Sequence, residues 1–254
     1  MRNKRFLSSR NPVMNEKAFQ RASNTVLDGE MTGIQVGEVM TAQGAVTKTF
    51  MLLGIMLFTT LIGYTMASPL MLWGGAIGGL VLVLIAVFKT EWSPILAPLY
   101  AALEGLFVGA ISAVYASAFD GIIFQAVSLT LAVLFMMLFI YKMEIIKVTD
   151  KFRTGVIMAT GAVVLVYVLS WILSFFGINL PYLHEGGMIG IGISLVIIGI
   201  AALNLLLDFD NFEKGEAMRA PKYMEWFCAM GLIITLVWLY VEILRLLAIL
   251  SSSD

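Results

Sequence analysis

Seven stretches of this 254-residue chain run for about twenty residues each with almost no formal charge, and they leave few folds open. Thr49–Ser68, Met71–Phe88, Ile122–Tyr141, Val156–Phe176 and Gly187–Leu207 contain no Asp, Glu, Lys or Arg. Ile95–Ser117 contains Glu104 alone, and Trp226–Leu250 contains Glu242 and Arg245. A hydrocarbon core about 30 Å thick takes about 20 residues of helix, whereas membrane β-strands are about half as long and alternate in polarity. These runs are continuous. They predict an all-α integral membrane protein of seven transmembrane helices. With 60% of residues hydrophobic and 13% charged, against about 45–50% and 25% in soluble domains, a soluble enzyme and a disordered or fibrous chain are excluded.

The chain divides into a polar tail over residues 1–45, a transmembrane domain over 46–250 and a short end over 251–254. No long apolar run precedes Val46, so no secretory signal peptide is expected and the tail stays in the compartment of synthesis. It reads as mostly flexible, with a short amphipathic helix around Glu16–Leu27. Lys and Arg alternate from one turn to the next: seven through Lys48, none between the first two spans, Lys89 after the second and none after the third. Lys142, Lys147, Lys151 and Arg153 follow the fourth span, none follow the fifth, and Lys214, Arg219 and Lys222 follow the sixth. Positive residues stay inside. The N-terminus is therefore expected in the cytoplasm and the C-terminus on the opposite side.

A net charge of −1 argues against nucleic acid as a partner. One Cys (Cys228) and one His (His184, in an outer loop) can supply neither a disulfide nor a zinc site, and no cofactor is expected. Gly74-x3-Gly78, Gly75-x3-Gly79, Gly105-x3-Gly109 and Gly186-x3-Gly190 offer close helix approach, or simply reflect the frequency of Gly in membrane helices. Trp92 and Trp226 read as interfacial anchors, and the sixteen Met residues as packing filler.

An ionisable group at membrane depth is expensive and points to function. Glu104 lies about ten residues, roughly 15 Å, into the third span, with Tyr100 one turn before it. It serves either function or the pinning of helices by a protonated acid. Asn204, Asp208 and Asn211 share a helical face, whereas Asp210 points about 200° away from Asp208. Asp208 is read as a boundary carboxylate, functional or simply solvated. The run Asp208–Glu213 resembles the start of an EF-hand loop but lacks its Gly and distal Glu, and Phe209 and Phe212 suit a helix better. Glu242 is deep in the last span, with Arg245 at i+3. The two either pair within the helix, or Arg245 snorkels outward and leaves Glu242 facing the bundle. If the chain reverses at Pro221, straight helices put Asp208 and Glu242 about 12 Å apart in depth.

Ala220-Pro-Lys-Tyr-Met-Glu225-Trp226 and the run Thr235–Leu247 containing Glu242 and Arg245 resemble the closing segment of the Bax-inhibitor family, in its bacterial branch. Leu207-Asp208-Phe-Asp210, Leu103-Glu104-Gly105 and the stretch from Met40-Thr41 to Lys48-Thr49 are similar too. The resemblance implies a seven-helix fold whose last helix is enclosed by the other six, in a bacterial cytoplasmic membrane. It also implies a pH-sensitive passive calcium leak gated by a proton-sharing carboxylate dyad. Carried onto this chain, the dyad is Asp208 with Glu242, which would also meet the calcium ion. Two carboxylates at low dielectric cannot both ionise freely and titrate as a pair. Two departures stand out: Glu242 replaces an Asp, and Met71–Phe88 lacks the basic residue that latches the dyad in such relatives, leaving Arg245 to take that role or no latch at all.

Calcium, protons and the lipid bilayer are the partners this reading implies. Two other classes remain open. One is a proton-coupled carrier in which Glu104 and Glu242 relay protons and Asn204 helps bind a small solute. The other is a membrane scaffold that regulates other proteins through residues 1–45. An intramembrane protease is disfavoured, because the chain has neither a Gly-x-Ser-x-Gly elbow nor a span-buried Gly-Asp pair.

Overall fold

The computed structural model describes residues 38–176 and 187–252. They form α1 (Ala42–Thr65), α2 (Pro69–Phe88), α3 (Ser93–Ala118), α4 (Ile122–Lys142), α5 (Asp150–Phe175), α6 (Met188–Ala217) and α7 (Met224–Ser251). A 3-10 turn over Thr90–Trp92 joins α2 to α3. All seven helices are long and apolar enough to cross a membrane. The chain is an all-α multi-pass membrane protein. The tail helix expected near Glu16–Leu27, the outer-loop His184, and Gly186 lie outside the described residues.

Local chemistry sets the helix starts. Thr41 caps α1, its hydroxyl accepting from Gly44 N at 2.9 Å. Ser68 does the same for α2, followed by Pro69, whose missing N–H is no loss in a first turn. Thr149 caps α5, accepting from Phe152 N at 3.2 Å. Short connections make successive helices antiparallel. The bundle thus has a near end, where α1 begins and α6 meets α7, and a far end, where α1 meets α2.

Three boundaries differ from the hydropathy reading, all because helices outrun their uncharged segments. α1 begins at Ala42, ahead of Thr49. α5 begins at Asp150 rather than near Val156, so Lys151 and Arg153 are helical and not loop residues. α6 continues ten residues past Leu207 to Ala217, placing Asp208 inside the helix and confirming that the Asp208–Glu213 run is no EF-hand loop. The reversal before α7 contains Pro221, as expected.

α7 is the centre. It packs closely on α1, α3, α4 and α6, while α2 rests chiefly on α3 and α5 chiefly on α6. Enclosure of the last helix is therefore by four close neighbours, with α2 and α5 in an outer layer. Cys228, Ile233, Leu239 and Leu244 of α7 are fully buried. The most extensive pairing joins α1 and α3. It depends on glycine: a Cβ at Gly105 would lie 2.4 Å from Met56 O, and one at Gly109 would lie 2.2 Å from Thr60 O. Gly75 likewise admits the α3 backbone, with Leu103 O at 2.7 Å, whereas Gly74 meets only a Leu70 methyl at 3.8 Å.

At the near end the chain preceding α1 is tied to the α6–α7 turn. Val39 bridges Pro221 in antiparallel fashion. Met40 N donates to Ala220 O at 2.7 Å and Lys222 N to Glu38 O at 2.9 Å. Lys222 and Glu38 also form an ion pair. Lys48 Nζ stands 4.8 Å from the ring centroid of Trp226, a cation–π contact.

Candidate functional site: buried carboxylates along α7

Among the described residues four carboxylates are buried in the bundle: Glu104, Asp208, Glu225 and Glu242. Each meets different surroundings, and those surroundings set what it can do.

Glu225 opens α7 and reaches back to α1. Its Oε1 accepts from Thr41 N at 3.1 Å and from the Thr41 hydroxyl at 3.3 Å. A Cβ at Gly44 would lie 2.0 Å from the same oxygen. Glu216 Oε2 accepts from Ala42 N at 3.2 Å. Two acids thus satisfy free N–H groups at the positive end of the α1 dipole. This is a structural clasp. Glu225 stood out in the sequence only as part of a family motif, and Thr41 likewise; nothing in the sequence joined the two.

Asp208 is 6% exposed, and its Oδ2 is shielded from solvent with no hydrogen-bond partner. It faces α7, with the Thr235 side chain and the Cys228 thiol close by. The nearby cation is Arg153 of α5. That guanidinium bonds Asp210 and, at 2.9 Å, Asn211 Oδ1. Lys214 adds a second cation on Asp210 at 2.9 Å. The Arg153 Nε is shielded and without a partner. Asp210 is therefore engaged by α5 while Asp208 faces α7, consistent with their opposite placement on the helix. The Asn204–Asp208–Asn211 stripe does not converge on one neighbour, however. Asn204 Nδ2 donates to Thr160 Oγ1 of α5 at 2.8 Å, and Asn211 also turns to α5, so the stripe straddles a groove.

Glu242 is 3% exposed and lies seven residues beyond Thr235, about 10 Å further along α7. Its Oε2 accepts from Tyr167 OH of α5 at 3.0 Å, and its Oε1 from Arg245 Nη1 at 3.2 Å. Arg245 Nη1 also donates to Tyr167 OH at 2.6 Å, closing a three-residue ring. Arg245 therefore pairs with Glu242 instead of snorkelling away; only 17% of its side chain is exposed.

The structure does not bring Asp208 and Glu242 together as a contacting dyad. The reversal at Pro221 leaves unequal arms, and each acid has its own partners. Glu104 belongs to neither. Its Oε2 fills the space beside Gly79 of α2, 2.5 Å from where a Cβ would stand, with the Tyr100 ring alongside. It faces α2, whereas Glu242 faces α5, and the two share no hydrogen-bond partner. Among the described residues no group of three or more His, Cys, Asp or Glu side chains could hold a metal ion. Asp208 and Glu242 as found do not fit a resident calcium site. Calcium, if handled, would be cargo.

Arg153 is the site residue that sequence reasoning missed. It counted only toward loop charge, because the uncharged run starts at Val156 while the helix starts at Asp150.

No curated protein matches the chain. The family described as Bax inhibitor 1 like matches residues 11–252, nearly the whole sequence and all seven helices. By that match, this seven-helix membrane protein belongs to the Bax inhibitor 1 like family.

Proposed function

We propose that the protein is a pH-regulated passive leak for calcium, in which Asp208 is the protonatable gate. The observation that carries this reading is the shielded, unpartnered Oδ2 of Asp208 between α6 and the central α7. Burying an unpaired anion costs several kcal/mol. The closed arrangement therefore suits a neutral, protonated Asp208. Once the proton leaves, the buried anion needs water or a cation. Arg153 is at hand but committed to Asp210 and Asn211. Drawing it toward Asp208 releases the α5–α6 tie at the near end and leaves Asp210 with Lys214 alone. Carboxylate oxygens exposed to water in this way attract a hard, oxygen-seeking cation such as calcium. In this mechanism Arg153 supplies the latch that the second span lacks, and Glu242 with Arg245 and Tyr167 forms a separate polar station further along α7. The alternation of Lys and Arg supports a cytoplasmic near end, and the motif resemblance supports a bacterial cytoplasmic membrane.

Calcium release from proteoliposomes at acidic and neutral pH, without an imposed proton gradient, tests this. Asp208→Asn should give low flux that no longer responds to pH, and Arg153→Gln should raise flux at acidic pH. Glu242→Gln should alter the rate more than the pH response. Unchanged flux and pH response in both Asp208→Asn and Glu242→Gln would remove the gate. A requirement for a proton gradient would point to a coupled carrier.

A further inference from the structure

A cavity of about 750 Å3 opens at the far half of the bundle, and neither Asp208 nor Glu242 lines it. Its floor is α7, at Val237 and Tyr240, both under 10% exposed. Its walls are α1 and α3 on one side and α4 on the other. α1 and α4 make no extensive contact with each other. The rims of the gap, Leu57 and Leu61 of α1 with Val127 and Leu131 of α4, are 42–66% exposed. In a membrane helix that exposure is to hydrocarbon. The cavity is thus a side window from the bilayer into the core, and its size falls within the range of ligand sites, roughly 300–1,000 Å3.

The lining is apolar apart from a few hydroxyls and Asp120 at the far-end turn. Ser112 and Tyr240 satisfy each other at 2.7 Å. Thr60 does not follow its neighbours. Thr49, Thr59, Thr65 and Thr130 each donate to the carbonyl four residues back, the usual recourse of a hydroxyl in an apolar helix. Thr60 Oγ1 is shielded from solvent and has no partner. It sits five residues before the end of α1, about 7–8 Å below the far end. Thr60 also lines the cavity, so a turn about its χ1 carries this unsatisfied donor into the slot, at the shallow depth where a lipid's ester group joins its chain. A volume of about 750 Å3 is little more than one turn of a helix about 10–12 Å across, too small for a partner helix, whereas it accommodates an alkyl chain.

We propose that this cavity binds one acyl chain of a bilayer phospholipid, entering between α1 and α4, with Thr60 Oγ1 donating to the lipid's ester carbonyl. The ligand would lie against α7, the helix that also carries Glu225, Thr235 and Glu242.

The test reconstitutes the full chain in nanodiscs containing phosphatidylcholine with a diazirine on one acyl chain, then maps adducts by mass spectrometry after illumination. Labelling is expected at Val237 and Tyr240, which lipid around the outside of the bundle cannot touch. Val127→Trp, placed at the rim, should cut that labelling about tenfold, equivalent to about 1.4 kcal/mol of site affinity. Labelling at the outward Leu195 and Val196 should stay unchanged, which also reports that the bundle is folded. Thr60→Val keeps the volume and removes the donor, and should lower cavity labelling about fivefold, one hydrogen bond of about 1 kcal/mol. Labelling of α7 no greater than background, or indifferent to Val127→Trp, would overturn the proposal. So would protein–protein adducts at these positions, which would assign the window to a second copy.

Discussion

Gly109→Ala puts the packing of α1 on α3 to a direct test. The added Cβ would meet Thr60 O at 2.2 Å, Tyr64 N at 2.6 Å and Gly63 C at 2.8 Å. All three are backbone atoms, so no side chain can rotate away. Reaching van der Waals separation requires the helices to part by about 1 Å, and a gap of 0.5–1 Å forfeits roughly a quarter to a half of the dispersion energy across it. Overpacking of this kind costs about 1–3 kcal/mol. The intrinsic preference of Ala over Gly in a helix returns about 0.8–1.0 kcal/mol. The net loss is about 0–2 kcal/mol, a Tm lower by up to roughly 8 °C for a chain of this size, against a gain of about 0.8–1.0 kcal/mol where the added Cβ meets nothing. Gly54 and Gly155 are the internal control, since a Cβ at either meets nothing within 4 Å. Gly54→Ala and Gly155→Ala should leave Tm unchanged or raise it. Thermal unfolding of the detergent-solubilised variants, followed by intrinsic Trp fluorescence, gives the comparison. If Gly109→Ala matches Gly54→Ala, the close approach of α1 to α3 is wrong.

Three further expectations concern the charged groups. Arg245→Ala leaves Glu242 buried without its cation, so it should destabilise by about 3–5 kcal/mol; adding Glu242→Gln should recover a large part of that Tm loss, and no recovery would argue against the pair. Thr41→Ala removes both the cap on Gly44 and the hydroxyl bond to Glu225, a loss of about 1–2 kcal/mol that should appear in Tm with calcium flux retained. Hydrogen bonding to Lys222, and then its charge, holds the Glu38 carboxyl below its ordinary value of 4.5. The stabilisation from this pair is therefore complete above that value and fades only as pH falls through the lowered one. Glu38→Gln should accordingly leave any flux response between about pH 5 and 8 untouched; a shifted response would implicate the clasp in gating.

The seven helices were legible because hydrocarbon tolerates almost no charge, and uncharged runs of sufficient length have no other stable use. The Pro221 reversal and the glycines at 75, 105 and 109 were legible for similarly local reasons. What escaped was whatever depends on where a helix stops relative to its charges. Arg153 lies outside its uncharged run yet inside its helix, so it looked like a loop cation when it holds Asp210 and Asn211. Glu225 is separated from Thr41 by 184 residues, and no periodicity links them. The pairing of Asp208 with Glu242 required equal arms about the reversal. The sequence already showed those arms to be unequal, and the structure keeps the mismatch by giving each acid a different neighbour.

The central position of α7 has a consequence for biosynthesis. The helix against which α1, α3, α4 and α6 pack is made after the other six. α2 and α3 are adjacent in sequence, and α1 meets α3 across one intervening helix, so this glycine-lined trio can assemble while the chain is still growing. α4 and α6 then wait in the bilayer with their inner faces against lipid until residues 224–251 arrive. Insertion of α7 and closure of the Thr41–Glu225 clasp are thus one event, late and long-range, so a nascent chain halted before Met224 would hold its first three helices together, with α4, α5 and α6 lacking the helix that joins them to that trio.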